Sequence, residues 1–540
     1  MVSVIGRPVQ RSIIGAAGTM HDQSWYDGDI HWQAERHTRI KGNRRKSGYK
    51  QTVSGLCTRK KTLYLDTQEE IYEQVFQSFH NQYEIYAFTM PRREDRFVYP
   101  EFADHFNTIW RFEPKKLFDY YHKDKIFYAD HHQSHAIYAY LQSGFEECDI
   151  LAVDGGAALF TSFWCDSDQN ITNLTPFFNL GRTWIACTTA VGYVMTSGGR
   201  IWQDNETGKV MGLAGYGKVH WGLYELLHEI LKDGTSHRNL PDHEHKIIKY
   251  AQERFVPPQN MSATMQKLND DVVEDLVTKR KTSKNICVSG GVAYNGYMNE
   301  MLTKIYDNVF VPPAVGDEGQ SVGIYMMADY VINNNVHIPK VYAGIEHEVK
   351  EEIFVGMKYK KMNMDDIYPF IAKQIAGGSI VGWYQGRSES GNRALGNRSI
   401  LADPRNPDIK GIINEKIKLR EDFRPFAPSV LIEDYQEWFD TNQPSPYMSR
   451  IMPVKEDKRS VIPGVTHVDG TARIQTVEKS FNEKYWNVIN AFKEETGVPM
   501  LLNTSFNCQE PIVETPEEAL ATFNRVGLDI LVIEDYVVVK

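Results

Sequence analysis

Two stretches of the chain show the same succession of short apolar runs separated by polar turns. Residues 11–36, RSIIGAAGTMHDQSWYDGDIHWQAER, and residues 149–175, DILAVDGGAALFTSFWCDSDQNITNLT, each predict three consecutive strands. The turns lie at Asp27-Gly28 in the first stretch and at Asp154-Gly155-Gly156 in the second. Glycine permits tight turns and a close approach of phosphate to the backbone. The repeat predicts two similar subdomains that face a cleft.

Helical periodicity dominates the regions between and after these strands. Residues 67–142 and 220–282 predict mostly helices, with apolar positions at helical spacing in segments such as EEIYEQVFQSFHNQ. A buried strand at Asn285–Val288 leads into Ser289-Gly290-Gly291 and then into a helix. Because the first N–H groups of a helix have no partner within it, this turn is a candidate cradle for a phosphate or a ribose.

The character of the sequence changes after residue 345. Residues 346–364 are polar and charged and predict a linker. From residue 365 a separate α/β unit is predicted, with the helix IYPFIAKQIA, the strand SIVGWYQG and terminal strands in LDILVIEDYVVVK. The sequence therefore predicts an α/β protein with a first domain at 1–345, a linker at 346–364 and a second domain at 365–540.

The composition is that of a globular protein. Of the 540 residues, 42% are hydrophobic and 24% are charged, and the length is too great for a single core. The chain has no apolar run of about 18 residues, the length that a membrane span requires. Its N-terminus lacks the ordered regions of a signal peptide. The six cysteines include no CxxC pair, which argues against a disulfide framework and predicts a cytoplasmic protein.

Positive charge is concentrated in one segment, although the net charge is −10. The net charge excludes a generic nucleic-acid binder. Between Arg36 and Lys61, however, ten residues are basic and none is acidic. This basic segment, residues 36–61, is interpreted either as a solvated loop or as a footprint for an anionic partner.

Several side chains are candidates for chemistry. His131 and His135, in YADHHQSHAIYAY, are four residues apart and share one face of a helix, where they can bind one metal ion or be a pair of surface histidines. Asp317 and Asp154 are candidate carboxylate ligands, although each is also typical of a turn. His21 follows the first strand and either orients an acceptor hydroxyl, acts as a general base or caps a turn.

A dense glycine- and arginine-rich segment follows the strand SIVGWYQG. In GRSESGNRALGNRSILADPR, Arg393 and Arg398 flank Gly396, a spacing that predicts specific anion binding. Guanidinium groups match phosphate oxygens in pairs. Arg473 in HVDGTARIQTV and Ser505 in LLNTSFN are candidate additional donors. Mixed surface charge explains any one of these residues, but poorly explains glycine, arginine and proline at this density.

Together the motifs resemble one family over nearly the whole chain. HHxSHA, VDGG, GKVMGLAGYGK, SGGVAYN, GDEGxxxG, GRSESGNRALGNRSILADPR, KxREDFRPFAPS, THVDGTARIQTV and LLNTSFN occur in the order found in the O-carbamoyltransferases of the NodU/CmcH and tobramycin type. The resemblance implies an N-terminal duplicated domain of the actin-like ATPase (Kae1-like) class and a C-terminal YrdC-like domain. It implies that ATP and carbamoyl phosphate form carbamoyl adenylate in the second domain. The first domain would then transfer the carbamoyl group to a hydroxyl near one divalent metal, expected to be Fe²⁺, and Mg²⁺ accompanying ATP is a further candidate.

The resemblance also assigns roles to residues. The implied metal ligands are His131, His135, Asp317 and Asp154. The implied transfer-site residues are His21 and Lys41. The implied contacts of carbamoyl phosphate and the adenylate are Arg393, Lys418, Arg424, Arg473 and Ser505, with Arg393 and Lys418 also catalytic. The implied nucleotide-site residues of the first domain are Lys209, Gly290, Gly291 and Asn295.

The family motifs HDxxW and ERxTRxK are also present, the latter as ERHTRIK at residues 35–41. The basic segment departs from the family pattern, in which a short acidic or neutral stretch follows the ERxTRxK element. A phosphate-bearing acceptor, such as a hydroxymethylated pyrimidine in DNA, would explain the departure, and a small-molecule natural product or sugar is the alternative. Two other functions stay open: a threonylcarbamoyl-type tRNA modification enzyme and a non-enzymatic nucleic-acid-binding module. No membrane partner is expected, and a homodimer is a candidate assembly.

Overall fold

A computed structural model gives the fold of most of the chain. It describes residues 12–18, 23–33, 51–53, 61–63, 83–89, 115–123, 125–155, 162–175, 177–193, 195–197, 200–202, 207–234 and 240–540. The predicted transfer-site residues His21 and Lys41 lie outside the described residues, as does most of the basic segment. In the part that is described, no helix is both long and apolar enough to cross a membrane.

The first predicted strand triplet forms one edge of a mixed sheet. In spatial order the sheet contains β3 (His31–Gln33), β2 (Gln23–Tyr26), β1 (Ile13–Gly18), β6 (Ile85–Thr89), β8 (Ile126–Ala129) and β7 (Tyr121–Lys123). The triplet is antiparallel, while β1, β6 and β8 run parallel. Two further strands, β4 (Gln51–Val53) and β5 (Lys61–Leu63), form a separate antiparallel pair.

The second predicted triplet repeats this arrangement in a second sheet. Its spatial order is β11 (Ile171–Asn173), β10 (Ser162–Cys165), β9 (Asp149–Val153), β14 (Asn285–Ser289) and β15 (Asn308–Phe310). Here too the triplet is antiparallel, and the two strands that follow are parallel to the first. A short antiparallel pair, β12 (Met195–Ser197) and β13 (Arg200–Trp202), lies apart from it. The predicted duplication is therefore confirmed at the level of strand order and direction.

Helices connect and cover these two sheets. They are α1 (His131–Ser143), α2 (Leu180–Val191), α3 (Thr207–Ala214), α4 (Trp221–Asp233), α5 (Leu240–Glu253), α6 (Pro258–Arg280), α7 (Gly296–Leu302) and α8 (Gln320–Asn333). The helices predicted for 220–282 are confirmed as α4, α5 and α6. The prediction for 67–142 was partly wrong, because β6, β7 and β8 lie there and EEIYEQVFQSFHNQ falls outside the described residues. Their runs IYAFT and IFYA are too short and too evenly apolar for periodicity to separate a buried strand from a helix.

The C-terminal part is built on a nine-stranded mixed sheet. Its spatial order is β16 (Lys358–Lys361), β24 (Tyr536–Val539), β23 (Ile530–Ile533), β17 (Val381–Tyr384), β18 (Arg398–Ala402), β22 (Met500–Ser505), β19 (Ala427–Leu431), β21 (Thr471–Val477) and β20 (Arg450–Pro453). Its helices are α9 (Met364–Ala376), α10 (Ile409–Ile413), α11 (Tyr435–Trp438), α12 (Glu483–Thr496) and α13 (Pro516–Arg525). The helix and strands predicted for IYPFIAKQIA, SIVGWYQG and LDILVIEDYVVVK are all present. Strand β16 lies in the segment predicted as the linker, at the edge of this sheet.

The buried apolar residues form clusters around the three large sheets. One buried apolar cluster surrounds the nine-stranded sheet, a second lies between β9, β14 and the helices α2 to α7, and a third lies between the first two sheets against α1 and α8. Helix α7 packs directly on β20, so the C-terminal sheet is in contact with the second sheet's helices. The architecture confirms the predicted α/β fold class. The domain boundaries at 345 and 365 stay a prediction.

Candidate functional site

Helix α1 presents two of the predicted metal ligands at its first turn. Asp130 caps the helix: its side chain accepts from the backbone N–H groups of His132 and Gln133, and the Gln133 side chain accepts from the Asp130 N–H in return. This reciprocal arrangement fixes where the helix begins. His131 and His135 are consequently one helical turn apart, with their imidazole rings 5.1 Å apart between centroids.

Two carboxylates from other elements complete the group. Asp154 directly follows β9, and Asp317 opens the 3-10 turn Asp317–Gly319 before α8. One ligand atom from each of His131, His135, Asp154 and Asp317 lies within 4.8 Å of the others. The Nε2 atoms of His131 and His135 lie 3.3 and 3.2 Å from Oδ1 of Asp317, and His131 Nε2 lies 3.5 Å from Oδ2 of Asp154.

The charges within this group are strongly coupled. Burial disfavours protonated His131, but the carboxylates of Asp317 and Asp154 outweigh it and raise the pKa of His131 to about 10. Burial and the Asp317 charge disfavour ionised Asp154, but the neighbouring histidines hold its pKa at about 2. Two imidazole nitrogens and two carboxylate oxygens form a donor set that suits a divalent transition metal. The four residues predicted as ligands therefore fit one metal ion.

Two nearby side chains were missed by the sequence interpretation. Gln320 is fully buried, and its Nε2 lies 2.8 Å from Asp317 Oδ1 and 3.1 Å from His135 Nε2. His132, which does not share the helix face of His131 and His135 by sequence spacing, is buried with Nε2 3.8 Å from Oδ2 of Asp154. Helical spacing alone could not place either residue, because Gln320 and Asp154 belong to other elements. A glutamine three residues after Asp317 was the only available sequence signal.

The predicted glycine cradle adjoins Asp154. The N–H of Gly291 donates to Oδ1 of Asp154 at 3.1 Å, so this turn holds the carboxylate in place. Gly290 has a φ of +87°, and a Cβ there would lie 2.4 Å from the carbonyl oxygen of Val153. Asn295 caps α7 through the N–H of Met298 and exchanges hydrogen bonds with Gln266. These contacts give the three residues structural roles, and their nucleotide role stays a prediction.

A cluster of arginines lies in the C-terminal part. Burial lowers the pKa of Arg473, and the charges of Arg393, Arg420 and Arg424 lower it further. The Nε of Arg473 is buried without a hydrogen-bond partner, and Arg393 makes no hydrogen bond or ion pair with the described residues. Clustered guanidinium groups that disfavour one another are stabilised by an anion. The structure thus brings together three predicted anion contacts.

Two neighbours of this arginine cluster were not among the predicted site residues. Arg420 donates from Nε to Oδ1 of Asn414 at 2.7 Å, and burial together with Arg424 lowers the pKa of Arg420 to about 9. Burial lowers the pKa of His467 to about 4, and the charges of Arg473 and Lys410 act in the same direction. Arg420 was visible in the arginine-rich stretch, whereas His467 lies about fifty residues away in sequence, in THVDGTARIQTV.

Lys418 and Ser505 form the remaining predicted pair. Lys418 ends the π-helical turn Asn414–Lys418, and its Nζ donates to the Ser505 carbonyl, to Ser505 Oγ at 3.2 Å and to Asn507 Oδ1 at 2.6 Å. The predicted nucleotide-site Lys209 lies on α3 and forms an ion pair with Glu421 at 2.9 Å. Glu421 is in turn 3.9 Å from Arg424. Lys209 is therefore joined to the arginine-bearing segment across the contact between the two halves.

The arginine-bearing segment contacts the loop that leads to Asp317. Gly391 has a φ of +89°, and a Cβ there would lie 2.4 Å from the carbonyl oxygen of Pro313. Arg393 follows it, with its guanidinium carbon 5.2 Å from the centroid of the Tyr294 ring. The Tyr294 hydroxyl donates to the carboxylate of Glu318, the neighbour of Asp317. The arginine segment thus rests directly on the loop that carries a predicted metal ligand.

Comparison with known proteins shows the family of the chain. Residues 68–326 match the family described as "Carbamoyltransferase N-terminus", and residues 372–540 match "Carbamoyltransferase C-terminus". The nodulation protein NolNO of Sinorhizobium fredii is 37% identical over 77% of this chain and 64% of its own length. The nodulation protein NolO of Bradyrhizobium diazoefficiens is 36% identical over 76% of this chain and 79% of its own.

A third relative is named for its reaction. The 3'-hydroxymethylcephem-O-carbamoyltransferase of Amycolatopsis lactamdurans is 31% identical over 58% of this chain and 60% of its own length. Among solved structures, the activator of 2-hydroxyisocaproyl-CoA dehydratase from Clostridium difficile is 10% identical, with a TM-score of 0.34 over 60% of this chain and 96% of that one. The two halves of the family match consecutive parts of the sequence in their expected order, and the chain belongs to the O-carbamoyltransferase family.

Proposed function

We propose that the chain uses ATP and carbamoyl phosphate to form carbamoyl adenylate and then carbamoylates an acceptor hydroxyl. The observation that carries the proposal is that Tyr294 and Glu318 link two chemically different sites. One is a cluster of arginines in which Arg393 and Arg473 form no ion pair with a carboxylate of the described residues, and the other is a buried two-histidine, two-aspartate group. The first suits polyanionic substrates and the second suits a divalent cation. Neither site alone accounts for both activation and transfer.

The arginine cluster is assigned to activation. Water releases phosphate from carbamoyl phosphate, the carbamate oxygen then attacks the α-phosphorus of ATP, and pyrophosphate leaves. Arg393, Arg424 and Arg473 offset the charge of the two anionic substrates, and Lys418 lies beside Ser505 at the end of β22. Carbamate is a poor electrophile, and the mixed anhydride gives its carbon a good leaving group. Such an anhydride hydrolyses readily, so its passage between the sites must be shielded from water.

The second site is assigned to transfer. The acceptor oxygen attacks the carbamoyl carbon, AMP leaves, and the hydroxyl proton passes to a base, for which His21 is the candidate. His131, His135, Asp154 and Asp317 would hold the divalent cation, expected to be Fe²⁺, which would supply positive charge to stabilise the departing phosphate. Gln320 and the N–H of Gly291 keep two of these carboxylates in position.

The acceptor has two candidate classes. The basic segment supports a phosphate-bearing acceptor such as a hydroxymethylated pyrimidine in DNA, whose binding would weaken steeply with salt. A base within a duplex would have to be flipped out to reach a buried site. A small hydroxylated natural product or sugar is the alternative, and one relative is named for a hydroxymethyl acceptor of that size. The predicted homodimer is tested separately by a mass measurement in solution.

The central experiment follows a carbamoyl group into an acceptor. The protein is incubated with ATP, carbamoyl phosphate and a panel that includes hydroxymethylated DNA and hydroxylated small molecules, and each acceptor is weighed by mass spectrometry. One acceptor should gain a single carbamoyl unit, with pyrophosphate and AMP released. Failure to consume carbamoyl phosphate under any condition would reject the proposal. The same panel decides between the two acceptor classes.

Two variants separate the half-reactions. Arg393→Ala should abolish carbamoyl-phosphate-dependent pyrophosphate release, because it removes a guanidinium from the activation site. His21→Ala should keep pyrophosphate release and lose transfer to the acceptor. The reverse pattern in the two variants would contradict the division of labour.

The basic segment has its own test. Replacing Arg44, Arg45 and Lys46 with glutamine should raise the KM for a DNA acceptor and reduce its salt dependence, while leaving pyrophosphate release unchanged. An unchanged acceptor KM would show that the segment is a solvated surface.

A further inference from the structure

Tyr294 lies where the N-terminal and C-terminal parts of the chain meet. It ends the 3-10 turn Gly291–Tyr294, between the glycine turn after β14 and the start of α7. Its ring lies under the guanidinium of Arg393, with 5.2 Å between the guanidinium carbon and the ring centroid. A cation over an aromatic face at this range is attracted to the ring.

The Tyr294 ring is itself held from other sides. Its hydroxyl donates to Oε1 of Glu318, and the same oxygen accepts the N–H of Gly316 at 3.2 Å. Gly316 also borders the ring, because a Cβ built there would lie 3.1 Å from Tyr294 Cε2. Glu318 is buried, and its backbone carbonyl accepts from Ser24 Oγ at 3.1 Å. The ring is therefore fixed by the loop that carries Asp317.

Arg393, by contrast, has no such anchor within its own half of the chain. It forms no hydrogen bond or ion pair with the residues that the structure describes, and its segment follows Gly391, which packs on Pro313. An arginine side chain has several rotatable bonds, and ordering it costs conformational entropy. A fixed aromatic surface under the guanidinium lowers that cost before substrate arrives.

We infer that Tyr294 is a positioning residue for Arg393: an aromatic surface supplied by the N-terminal half that orders this guanidinium for the carbamoyl phosphate of the C-terminal half. The inference rests on the proposed function, because Arg393 is assigned there to carbamoyl phosphate. Glu318 contributes indirectly, because its carboxylate accepts from the Tyr294 hydroxyl and so holds the ring. Tyr294 itself touches neither substrate nor metal in this scheme.

The test compares three variants of the full-length protein. Tyr294→Leu removes both the aromatic face and the hydroxyl, and Tyr294→Phe keeps the face and loses the hydroxyl that donates to Glu318. Tyr250→Leu is the matched control, because it removes a half-buried ring of α5 that lies under a different arginine, Arg254, whose guanidinium carbon is 4.2 Å from the ring centroid. Thermal unfolding checks that all three variants are folded.

The expected result is a change in KM without a matching change in kcat. In carbamoyl-phosphate-dependent pyrophosphate release, Tyr294→Leu should raise the KM for carbamoyl phosphate by about tenfold, the size of a partly desolvated cation–π contact. Tyr294→Phe should recover most of that loss, and Tyr250→Leu should match the parent. A parental KM in Tyr294→Leu, or an equal loss in the phenylalanine variant, would overturn the inference.

A binding measurement separates this inference from the proposed function. Inorganic pyrophosphate serves as the probe for the arginine cluster, and its affinity is measured by calorimetry in the parent and in the same variants. Tyr294→Leu should weaken pyrophosphate binding about tenfold and Tyr250→Leu should not. If the parent binds pyrophosphate and shows this difference without turning over carbamoyl phosphate, the proposed function fails and the positioning role stands. Equal pyrophosphate affinity in the parent and Tyr294→Leu would refute the positioning role.

Discussion

The carboxylates around His131 favour its protonated form and so oppose metal binding by its imidazole. Asp317 and Asp154 lie within 3.5 Å of its Nε2, and their charge overcomes burial to raise the imidazole pKa to about 10. A protonated imidazole cannot donate an electron pair to a metal. At neutral pH a metal ion must therefore displace the proton of His131, which the two carboxylates stabilise.

Metal binding should consequently depend on pH. Each ion that binds should release one proton from His131, so the apparent affinity should rise about tenfold per pH unit from pH 7 to 9. The pKa of His131 is raised from 6.5 to about 10. In the metal-free protein, its stabilising contribution is therefore fully present below pH 6.5 and is lost as the pH rises through about 10. Calorimetry in buffers of different ionisation enthalpy counts the protons, and a pH-independent affinity would contradict the expectation.

Gln320 offers a test of how the ligands are held. Its Nε2 donates to Asp317 Oδ1 at 2.8 Å and lies 3.1 Å from His135 Nε2. Gln320→Leu should weaken metal binding by about 10- to 100-fold, the usual effect of removing a partner that orients a ligand. Ser321→Ala is the control. It removes a buried hydroxyl from the next position of α8, and that hydroxyl is hydrogen-bonded to Ser24 and not to the metal-ligand group. Metal titration should show parental affinity for Ser321→Ala, and an equal loss in both variants would mean a general effect on the helix.

At the scale of the elements, the close contact between β9 and β14 determines where Asp154 lies. The two strands are parallel, and Gly290 follows β14 just where Asp154 follows β9. A side chain at position 290 would enter the space of the Val153 carbonyl. The glycine therefore serves both the backbone conformation and the approach of the two strand ends.

Gly290→Ala should lower the free energy of unfolding by more than the cost of a left-handed φ alone. A left-handed φ costs about 1–3 kcal/mol for a residue other than glycine, and the steric overlap adds about 1–3 kcal/mol. Gly378→Ala isolates the first contribution, because Gly378 has a φ of +99° with no atom within 4 Å of the added Cβ. Denaturant unfolding should give a lower free energy of unfolding for Gly290→Ala than for Gly378→Ala. Only Gly290→Ala should also weaken metal binding. Equal free energies of unfolding for the two variants would show that β9 and β14 move apart at no cost to make room for the added Cβ.

At the scale of the whole molecule, the two halves are joined by packing as well as by charge. A Cβ at Gly296 of α7 would lie 2.6 Å from Cγ1 of Ile451 on β20, so the helix lies close against the strand. Asn299 Nδ2 donates to the carbonyl of Ser449 at 2.7 Å, next to the buried pair of Arg450 and Glu300 at 3.4 Å. This packing fixes the relative positions of the arginine cluster and the metal-ligand group.

Gly296→Val should lower the free energy of unfolding by about 1–3 kcal/mol, because it overpacks this contact. The double variant Gly296→Val/Ile451→Ala should recover part of the loss, since the shorter side chain makes room for the valine. Both are compared with Ile451→Ala alone by denaturant unfolding, with pyrophosphate formed per carbamoylated acceptor as the functional measure. Gly296→Val should also raise the pyrophosphate formed per carbamoylated acceptor, because more of the adenylate is hydrolysed before transfer. Strict additivity of the two substitutions would argue that the residues do not touch.

The sequence predicted the repeated strand triplets because alternating apolar runs and Asp-Gly turns are local signals. It also predicted that His131 and His135 share one face, since their spacing needs only a helix, whereas their grouping with Asp154 and Asp317 was implied by the family resemblance. It did not predict Gln320 or His467, whose relevance depends on which distant elements lie opposite. The roles of His21 and Lys41 stay predictions.

Local chemistry in the sequence thus determined the α/β elements, the duplicated unit, the ligand types and the excess of arginine, because each depends on residues close together along the chain. Only the tertiary structure decided that Asp154 and Asp317 meet the two histidines, and that Arg393 lies over Tyr294. Those contacts join residues up to 186 positions apart (His131 and Asp317), and their geometry is set by strand register and by packing between the two halves. A linear pattern carries no information about such distances, because they arise only when the sheets are paired and packed.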